Sequence, residues 1–457
     1  RSTLFPYTTL FRSRDNQITV SYLGYESQTL KVKNGMRVFL KSDAATLDEV
    51  IVVAFGTAKK SAFTGSAKAV GSEDIKLTQT TSVTGALAGN VAGVQLTQSS
   101  GSPSGSPTIR IRGFGSLNAG NDPLIIVDGA PYSGDMANIN PNDVETMTVL
   151  KDAASNALYG ARGANGVVMI TTKKAKSGDA VVTFDAKYGW NTKALKQYDI
   201  ISDPAAYYEK HYDAVYNYYI DKGMDANSAW QAANAGLFGE QAGGGVGYNI
   251  WSYPEGQMLI GQNGKLNPLA TIGRVEADYL IKPDDWEDVG IRTGNRQEYN
   301  VSIAGSTDKS NTYISLGYLK NEGITEKSDM QRFTARLKAD YQAKKWLKVG
   351  ANMSYARFDH NSLGNNGSET STGNIFAFTQ QMAPIYPAYV YNADGSIKID
   401  SNGIQMMDYG NGMNAGHDRP FIQDANPIQD VRLNTRNFEG NALAGHAFAD
   451  FTFYPGL

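Results

Sequence analysis

The chain of 457 residues contains no cysteine, which excludes disulfide frameworks, thiolate metal sites and a cysteine nucleophile. Histidine is nearly as scarce: His211, His360, His417 and His446 are scattered without the spacing of metal ligands. Neither sign of charge dominates. With 42 Lys and Arg against 45 Asp and Glu, the formal net charge is −3, and no basic face advertises nucleic acid. Long apolar runs are also missing. Val50–Phe55 and Leu124–Val127 are far too short for a spanning helix. There is no GxxxxGK(S/T) phosphate loop, for Gly264-Lys265 is followed by Leu266 and lacks the upstream glycine. No GxSxG occurs, Gly101–Gly105 (GSPSG) being only a look-alike, and no acid/base carboxylate pair can be placed. The reading is of a protein that is not an enzyme and needs no cofactor or metal.

What is abundant is glycine (48), tyrosine (26) and two-residue alternation. Arg1–Ser13 (RSTLFPYTTLFRS) carry neither a usable period nor the shape of a secretory leader. They read as a non-native, adapter-like segment, so the native start is expected upstream. In residues 14–42, Ile18, Val20 and Tyr22, then Leu30 and Val32, then Val38 and Leu40 alternate around turns at Gly24 and Asn34-Gly35. Three short strands are too few for an independent fold, so this is expected to be the tail of a small β-sandwich. Residues 43–74 hold an extended β-branched segment and an Ala/Gly/Ser/Lys-rich linker, Thr57–Asp74. Residues 75–177 read as a compact mixed α/β region. It has short helices at Val83–Ala88 and Ala153–Tyr159 and strands at Val94–Thr97, Thr108–Arg112, Pro123–Val127, Glu145–Lys151 and Val167–Lys173.

From residue 178 the texture changes. Val182, Phe184, Ala186, Tyr188 and Trp190 alternate with Thr183, Asp185, Lys187 and Gly189. The pattern returns at Tyr299–Ser306, Thr312–Lys320, Phe333–Tyr341, Leu347–Tyr355 and Leu443–Phe453. Each run is about ten residues, the length a tilted strand needs to cross a bilayer. Long and short connections alternate, the short turns falling at Ser306–Ser310 and Ala343–Lys345. Outer-membrane barrels keep this parity, with long outer loops and short periplasmic turns. The pattern places Val182, Phe184, Leu337 and Val349 toward lipid, and Thr183, Asp185, Lys338 and Asn352 toward the lumen.

Four stretches, GALAGNVAGVQ (Gly85–Gln95), SGSPSGSPTIRIRGFGSLN (Ser100–Asn118), DPLIIVDGAPYSGD (Asp122–Asp135) and the run Asn138–Lys174, closely resemble the plug of the SusC/RagA family of TonB-linked outer-membrane proteins. ITVSYLGYESQTLKV resembles the end of the carboxypeptidase-regulatory-like domain that precedes the plug in many members, and LDEVIVVAFGT resembles the TonB box region. The resemblance implies a mainly β protein. Its parts would be a sandwich remnant, a mixed α/β plug over 75–177, and the first six or so strands, in 178–457, of a transmembrane barrel of about 22 strands. It implies a fragment of a longer chain, because six strands cannot close a barrel. It also implies import of oligosaccharides or peptides across the bacterial outer membrane, with TonB supplying energy and a SusD-like lipoprotein acting as a lid. The competing reading is a surface protein that binds glycans and adheres without transport; it would need neither plug nor TonB box.

Residues Asp48, Glu49, Val50, Ile51, Val52, Val53, Ala54 and Phe55 are the candidate TonB box, since an extended segment can pair edge-on with a partner strand. On pattern alone they read equally as a strand of the preceding sandwich. In the plug, Arg110 and Arg112 alternate with Ile109 and Ile111. Inside a barrel these guanidiniums are expected to meet lumen carboxylates in a water-poor gap; Asp128, Asp143, Glu145, Asp152 and Arg162 are the other candidate members of the network. The first long connection holds one clear helix, with Asp203 as N-cap, Pro204 at N1 and Gly223 ending it. Helical spacing sets Tyr208, Tyr212, Tyr216 and Tyr219 on one face, as candidate contacts to lid or substrate; the plainer alternative is that they pack the loop. Asp284, Asp285, Glu287 and Asp288 read as a solvated loop, and Gly243–Gly247 as a flexible one.

Overall fold

The computed structural model describes residues 17–20, 28–31, 50–53, 56–59, 67–98, 101–111, 113, 120–151, 159–175, 178–194, 199–239, 244–363 and 373–453. The chain separates into two compact units. The first draws on Arg1–Val70, Arg110–Tyr132 and Thr146–Thr171, the second on Gly71–Ile109, Ser133–Glu145 and Thr172–Leu457.

In the first unit, Gln17–Val20 runs antiparallel to Gln28–Lys31, and Val50–Val53 to Gly56–Lys59. The strand expected around Val38, the segment 1–13 and most of the helix expected at 153–159 lie outside the described residues. The main sheet has the order Ala67–Gly71, Val144–Leu150, Val167–Thr172, Leu124–Val127, Ala130–Pro131. Val167–Ile170 pairs in parallel with Leu124–Val127. Both are near-continuous apolar runs, the composition of strands covered on two faces, and Ile126, Leu150, Val167 and Met169 form a buried core. Asp128 and Gly129 take φ of 47° and 87°, the pair of positive angles that a type I′ hairpin requires. The linker reading is corrected here. Gly56–Lys59 and Ala67–Gly71 are strands, and Ser72–Leu77 is a helix that buries Ile75. Small residues carry little alternation, so composition concealed a pairing that the neighbouring strands dictate.

The second unit is built on a wall of six antiparallel strands in sequential order: Gly178–Asn191, Gly294–Ser306, Ser310–Glu322, Asp329–Lys344, Leu347–Asn361 and Asn437–Phe451. Among the described residues no helix is long and apolar enough to cross a membrane; these strands, of 13 to 16 residues, exceed the roughly 9–11 that a tilted strand needs. Register fixes sidedness. Val182, Ile303, Ile314, Leu337 and Met353 are successive partners across five strands, and all five are 41–67% exposed. The opposite face carries Thr334, Arg336 and Asn352, all buried. Apolar out and polar in is the reverse of a water-soluble sheet and fits a wall that meets lipid. Phe184 and Val349 share the exposed face, and Asp185 and Lys338 the half-buried inner one; Thr183, on that inner face, is nevertheless exposed.

The two long connections, 192–293 and 362–436, share one hydrophobic core that includes Tyr208, Leu237, Tyr248, Ile260, Phe378 and Tyr386. Helix Pro204–Asp221 starts where Asp203 accepts from Ala205 N and Ala206 N. A second helix, Ala226–Gly236, capped by Asp225, was not expected. Its Ala/Asn-rich sequence carries few large apolar residues, and it packs on the first helix with Ala229 and Ala233 buried.

Candidate functional site

The inner face of the wall meets a short polar turn. Asn140 caps Pro141–Asp143, its Oδ1 accepting from Asn142 N at 3.0 Å, and the side chains of this turn reach the second, third and fourth wall strands. Asn140 Nδ2 donates to Asn300 Oδ1 at 2.8 Å and Thr334 Oγ1 at 3.2 Å. Asn142 Nδ2 donates to Glu298 Oε1 at 2.6 Å. Asp143 Oδ1 accepts from Tyr313 Oη at 3.0 Å and Ser315 Oγ at 2.6 Å, and Arg336 Nε lies 3.5 Å from Oδ2 with both side chains 5% exposed. Arg336 also donates to Asn352 Oδ1 at 3.0 Å.

Two further wall arginines grip main chain. Arg332 Nη1 donates to Thr81 O at 3.0 Å and to Ala137 O. Arg296 donates to Gln79 O and pairs with Glu298 at 2.9 Å. Below the turn, Lys173 Nζ donates to Asn142 O at 2.6 Å, and burial, with Lys76 nearby, holds its ammonium below the ordinary lysine range. Gly317 makes the closeness possible: a Cβ there would lie 2.3 Å from Asn140 Nδ2 and 2.6 Å from Thr334 Oγ1. Charge-assisted bonds in a low-dielectric interior are individually strong. Every polar group in the set is one that water could also satisfy.

The expected network is therefore corrected in its polarity. The guanidiniums come from the wall, as Arg296, Arg332 and Arg336; of their partners, Asp143 is in the turn, Thr81 O, Ala137 O and Gln79 O are main-chain carbonyls before it, and Glu298 is on the wall itself. Of the seven candidates only Asp143 joins this set through a described contact. Arg110 pairs with Asp122 at 2.5 Å within the first unit, and Asp128 donates its N–H to Ile170 O. Glu145 is half-buried in strand Val144–Leu150, and Arg162 is exposed. Arg112 and Asp152 lie outside the described residues. Asn140, Asn142 and Gly317 were missed. The signal that could have found the wall partners is the polar face of the fourth strand, where Arg332, Thr334 and Arg336 recur every second residue.

In the candidate TonB box, Val50–Val53 pair with Gly56–Lys59 as a hairpin, while Asp48, Glu49, Ala54 and Phe55 lie outside the described residues. The tyrosine helix also needs correction. Tyr208 and Tyr212 are buried, and Tyr216 and Tyr219 are packed against the same core. Tyr208 Oη donates to Tyr248 O at 2.5 Å, and burial drives the Tyr212 hydroxyl up to about 12. The four do share a face, but it is the face that packs the loop; Tyr218, off it, is 57% exposed. On the polar side, Glu209 accepts from Lys265 Nζ at 2.8 Å and Leu266 N at 3.0 Å. Burial alone would raise this carboxyl, yet these donors hold it below the ordinary range.

The acidic cluster is not simply solvated. Asp284 accepts from Ala388 N, Tyr389 N and Tyr391 Oη, Asp285 caps helix Trp286–Gly290, and Glu287 pairs with Lys193 at 2.7 Å. The glycine run is not a free loop either, since Val246 and Tyr248 are buried in the shared core. Deeper still, Asp408 accepts from Tyr248 Oη at 2.8 Å and Gly410 N at 2.6 Å. Arg419, fully buried, donates to Ile422 O and Ala425 O and lies over Trp286 and Phe378. Burial pushes the Asp408 carboxyl up and the Arg419 guanidinium down. These groups stitch the two long connections together.

Residues 59–167 match the family model of the TonB-dependent Receptor Plug Domain. The chain is similar to TonB-dependent receptor SusC of Bacteroides thetaiotaomicron, 35% identical over 327 residues that cover 70% of this chain and 27% of SusC. It is 27% identical to TonB-dependent receptor P26 of Formosa agariphila over 98% of its own length and 38% of that protein. Among solved structures it is similar to the RagAB peptide importer in the 'open-open' state, with a TM-score of 0.61 and 25% identity over 89% of this chain and 41% of that one. The chain thus spans well under half the length of these relatives. Plug model, relatives and barrel-wall architecture agree: the chain belongs to the SusC/RagA family of TonB-dependent receptors of the bacterial outer membrane.

Proposed function

We propose that the full-length protein imports a nutrient too large for porins, an oligosaccharide or a peptide, across the outer membrane. TonB would draw on Asp48–Phe55, and a SusD-like lipoprotein would serve as lid. The observation that carries the reading is the network of polar contacts between the Asn140–Asp143 turn and the wall. A permanent domain interface would be largely apolar; one that must open in every cycle is better made of groups that exchange readily with water. A partner-driven motor is consistent with a sequence that lacks a phosphate loop. The similarity to SusC and to a peptide importer supports import over adhesion. Deleting residues 48–55 from the full-length protein should abolish uptake of its nutrient while surface binding persists. Normal uptake by the deletion strain would return the adhesion reading to first place.

A further inference from the structure

At the end of the wall where short turns join the strands, the register of the fourth and fifth strands slips. Tyr341 is the partner of Val349 and Gln342 of Lys348, but the pairing then skips Ala343 and sets Lys344 opposite Leu347. A bulge of this kind re-aims the side chain that follows it. Leu347 is in turn the partner of Phe451, so Lys344, Leu347 and Phe451 form one row. Alternation puts Leu347 and Phe451 on the face of Val349 and Met353, the face that meets lipid. The extra residue therefore brings a lysine to the lipid side, where unbroken alternation would have put Ala343.

Beside that row lies an apolar plate. Trp346 and Phe451 have ring centroids 6.2 Å apart at 21°, and Phe451 and Phe453 have centroids 5.9 Å apart at 6°. The three are 49%, 52% and 77% exposed. Trp346 O accepts from Thr452 N at 2.9 Å, which fixes the turn to the sixth strand. An acyl chain packs on such a plate by area alone, with no need of an open ring face.

Charge at this end is divided unevenly between the two faces. On the inner face Lys348 pairs with Asp340 at 3.2 Å, and Asp450 is the strand partner of Lys348. In the neighbouring turn Lys309 follows Asp308, and both are exposed. Lys344 and Lys345 are exposed as well, and neither pairs with a carboxylate among the described residues. Gln342 ties the two turns together, donating its N–H to Lys309 O at 2.7 Å and its Nε2 to Lys344 O at 2.8 Å. Depth agrees with a headgroup position. On the lipid face of the fourth strand, Phe333, Ala335, Leu337, Ala339 and Tyr341 are bounded by Gln331 and Lys344. At about 3.4 Å per residue and a tilt of about 40°, that stretch rises about 34 Å, against roughly 30 Å of hydrocarbon.

We propose that Lys344 and Lys345, with the plate of Trp346, Phe451 and Phe453, bind an anionic phospholipid of the inner leaflet. The two ammonium groups take the headgroup phosphate, and the plate takes the upper part of an acyl chain. Two uncompensated cations side by side favour a headgroup of net negative charge over a zwitterionic one, whose own cation they repel. The leaflet follows from the short turns, which in these barrels lie on the periplasmic side.

The test uses the full-length receptor in phosphatidylcholine vesicles, with dibrominated phosphatidylglycerol or dibrominated phosphatidylcholine as quencher of tryptophan fluorescence. Subtracting the quenching that remains in Trp346→Phe isolates the lipid beside Trp346. At low salt phosphatidylglycerol should bind there about tenfold or more tighter than phosphatidylcholine. Lys344→Gln with Lys345→Gln should erase that preference while quenching by phosphatidylcholine persists. Lys344→Arg with Lys345→Arg should keep it. Should the glutamine pair fail to assemble, high salt must erase the preference in the wild type, because exposed charges are screened. Equal binding of the two lipids by the wild type, a preference that survives the glutamine pair or high salt, or no quenching of Trp346 by either lipid would overturn the site.

Discussion

Asp143 concentrates the chemistry of the attachment in one side chain. Its carboxylate takes two hydroxyl donors and sits against Arg336 where neither group sees water. Replacing it with Ala leaves a buried guanidinium without its counter-charge, a loss on the order of 3–5 kcal/mol for such pairs. The cost should be local. Amide exchange over residues 136–145 is expected to accelerate tenfold or more, while the wall strands keep their protection. Gly317→Ala should act on the same amides from the other side, since its methyl would collide with Asn140. Equal exchange in wild type and both variants would mean the turn is held by something else. That Asp143 belonged to a polar network was legible in the sequence. Its partners were not, because Tyr313, Ser315 and Arg336 lie more than 150 residues away along the chain and only the register of two strands brings them together.

At the scale of elements, strong periodicity was readable and weak periodicity was not. All six wall strands were legible from alternation, with ends extended by a few residues where polar positions beyond the apolar band still pair, as at Gly294–Tyr299 and Arg357–Asn361. Strand Ala67–Gly71 and helix Ala226–Gly236 escaped, since neither carries a run of large apolar side chains. The tyrosine helix was placed within a residue of its ends but its task was misread, because spacing says which side chains share a face and not what that face meets. Its packing role yields a contrast. Tyr208→Ala removes a buried ring and its bond to Tyr248 O, and should destabilise the outer-loop core by about 3–5 kcal/mol. Tyr218→Ala, outside the core, should stay within about 0.5 kcal/mol. Limited proteolysis of the two variants reports this directly, with Tyr208→Ala cleaved faster in 192–293; equal cleavage would return the helix face to a binding role.

For the whole molecule, a lipid-facing wall holds a polar turn on its inner face, and Asp48–Phe55 is the proposed point at which force enters. The central claim is that the turn must leave the wall for transport to occur. Residues 1–457 contribute no cysteine of their own, so a pair of introduced cysteines is unambiguous within them. Cysteines at Asn142 and Glu298, whose side chains meet at 2.6 Å, can be joined by a short bifunctional thiol reagent with a reducible link in the full-length receptor on cells. The account predicts that cross-linking abolishes uptake, leaves surface binding of the nutrient intact, and is reversed when reductant cleaves the link. Undiminished uptake through a receptor shown to be fully cross-linked would contradict it.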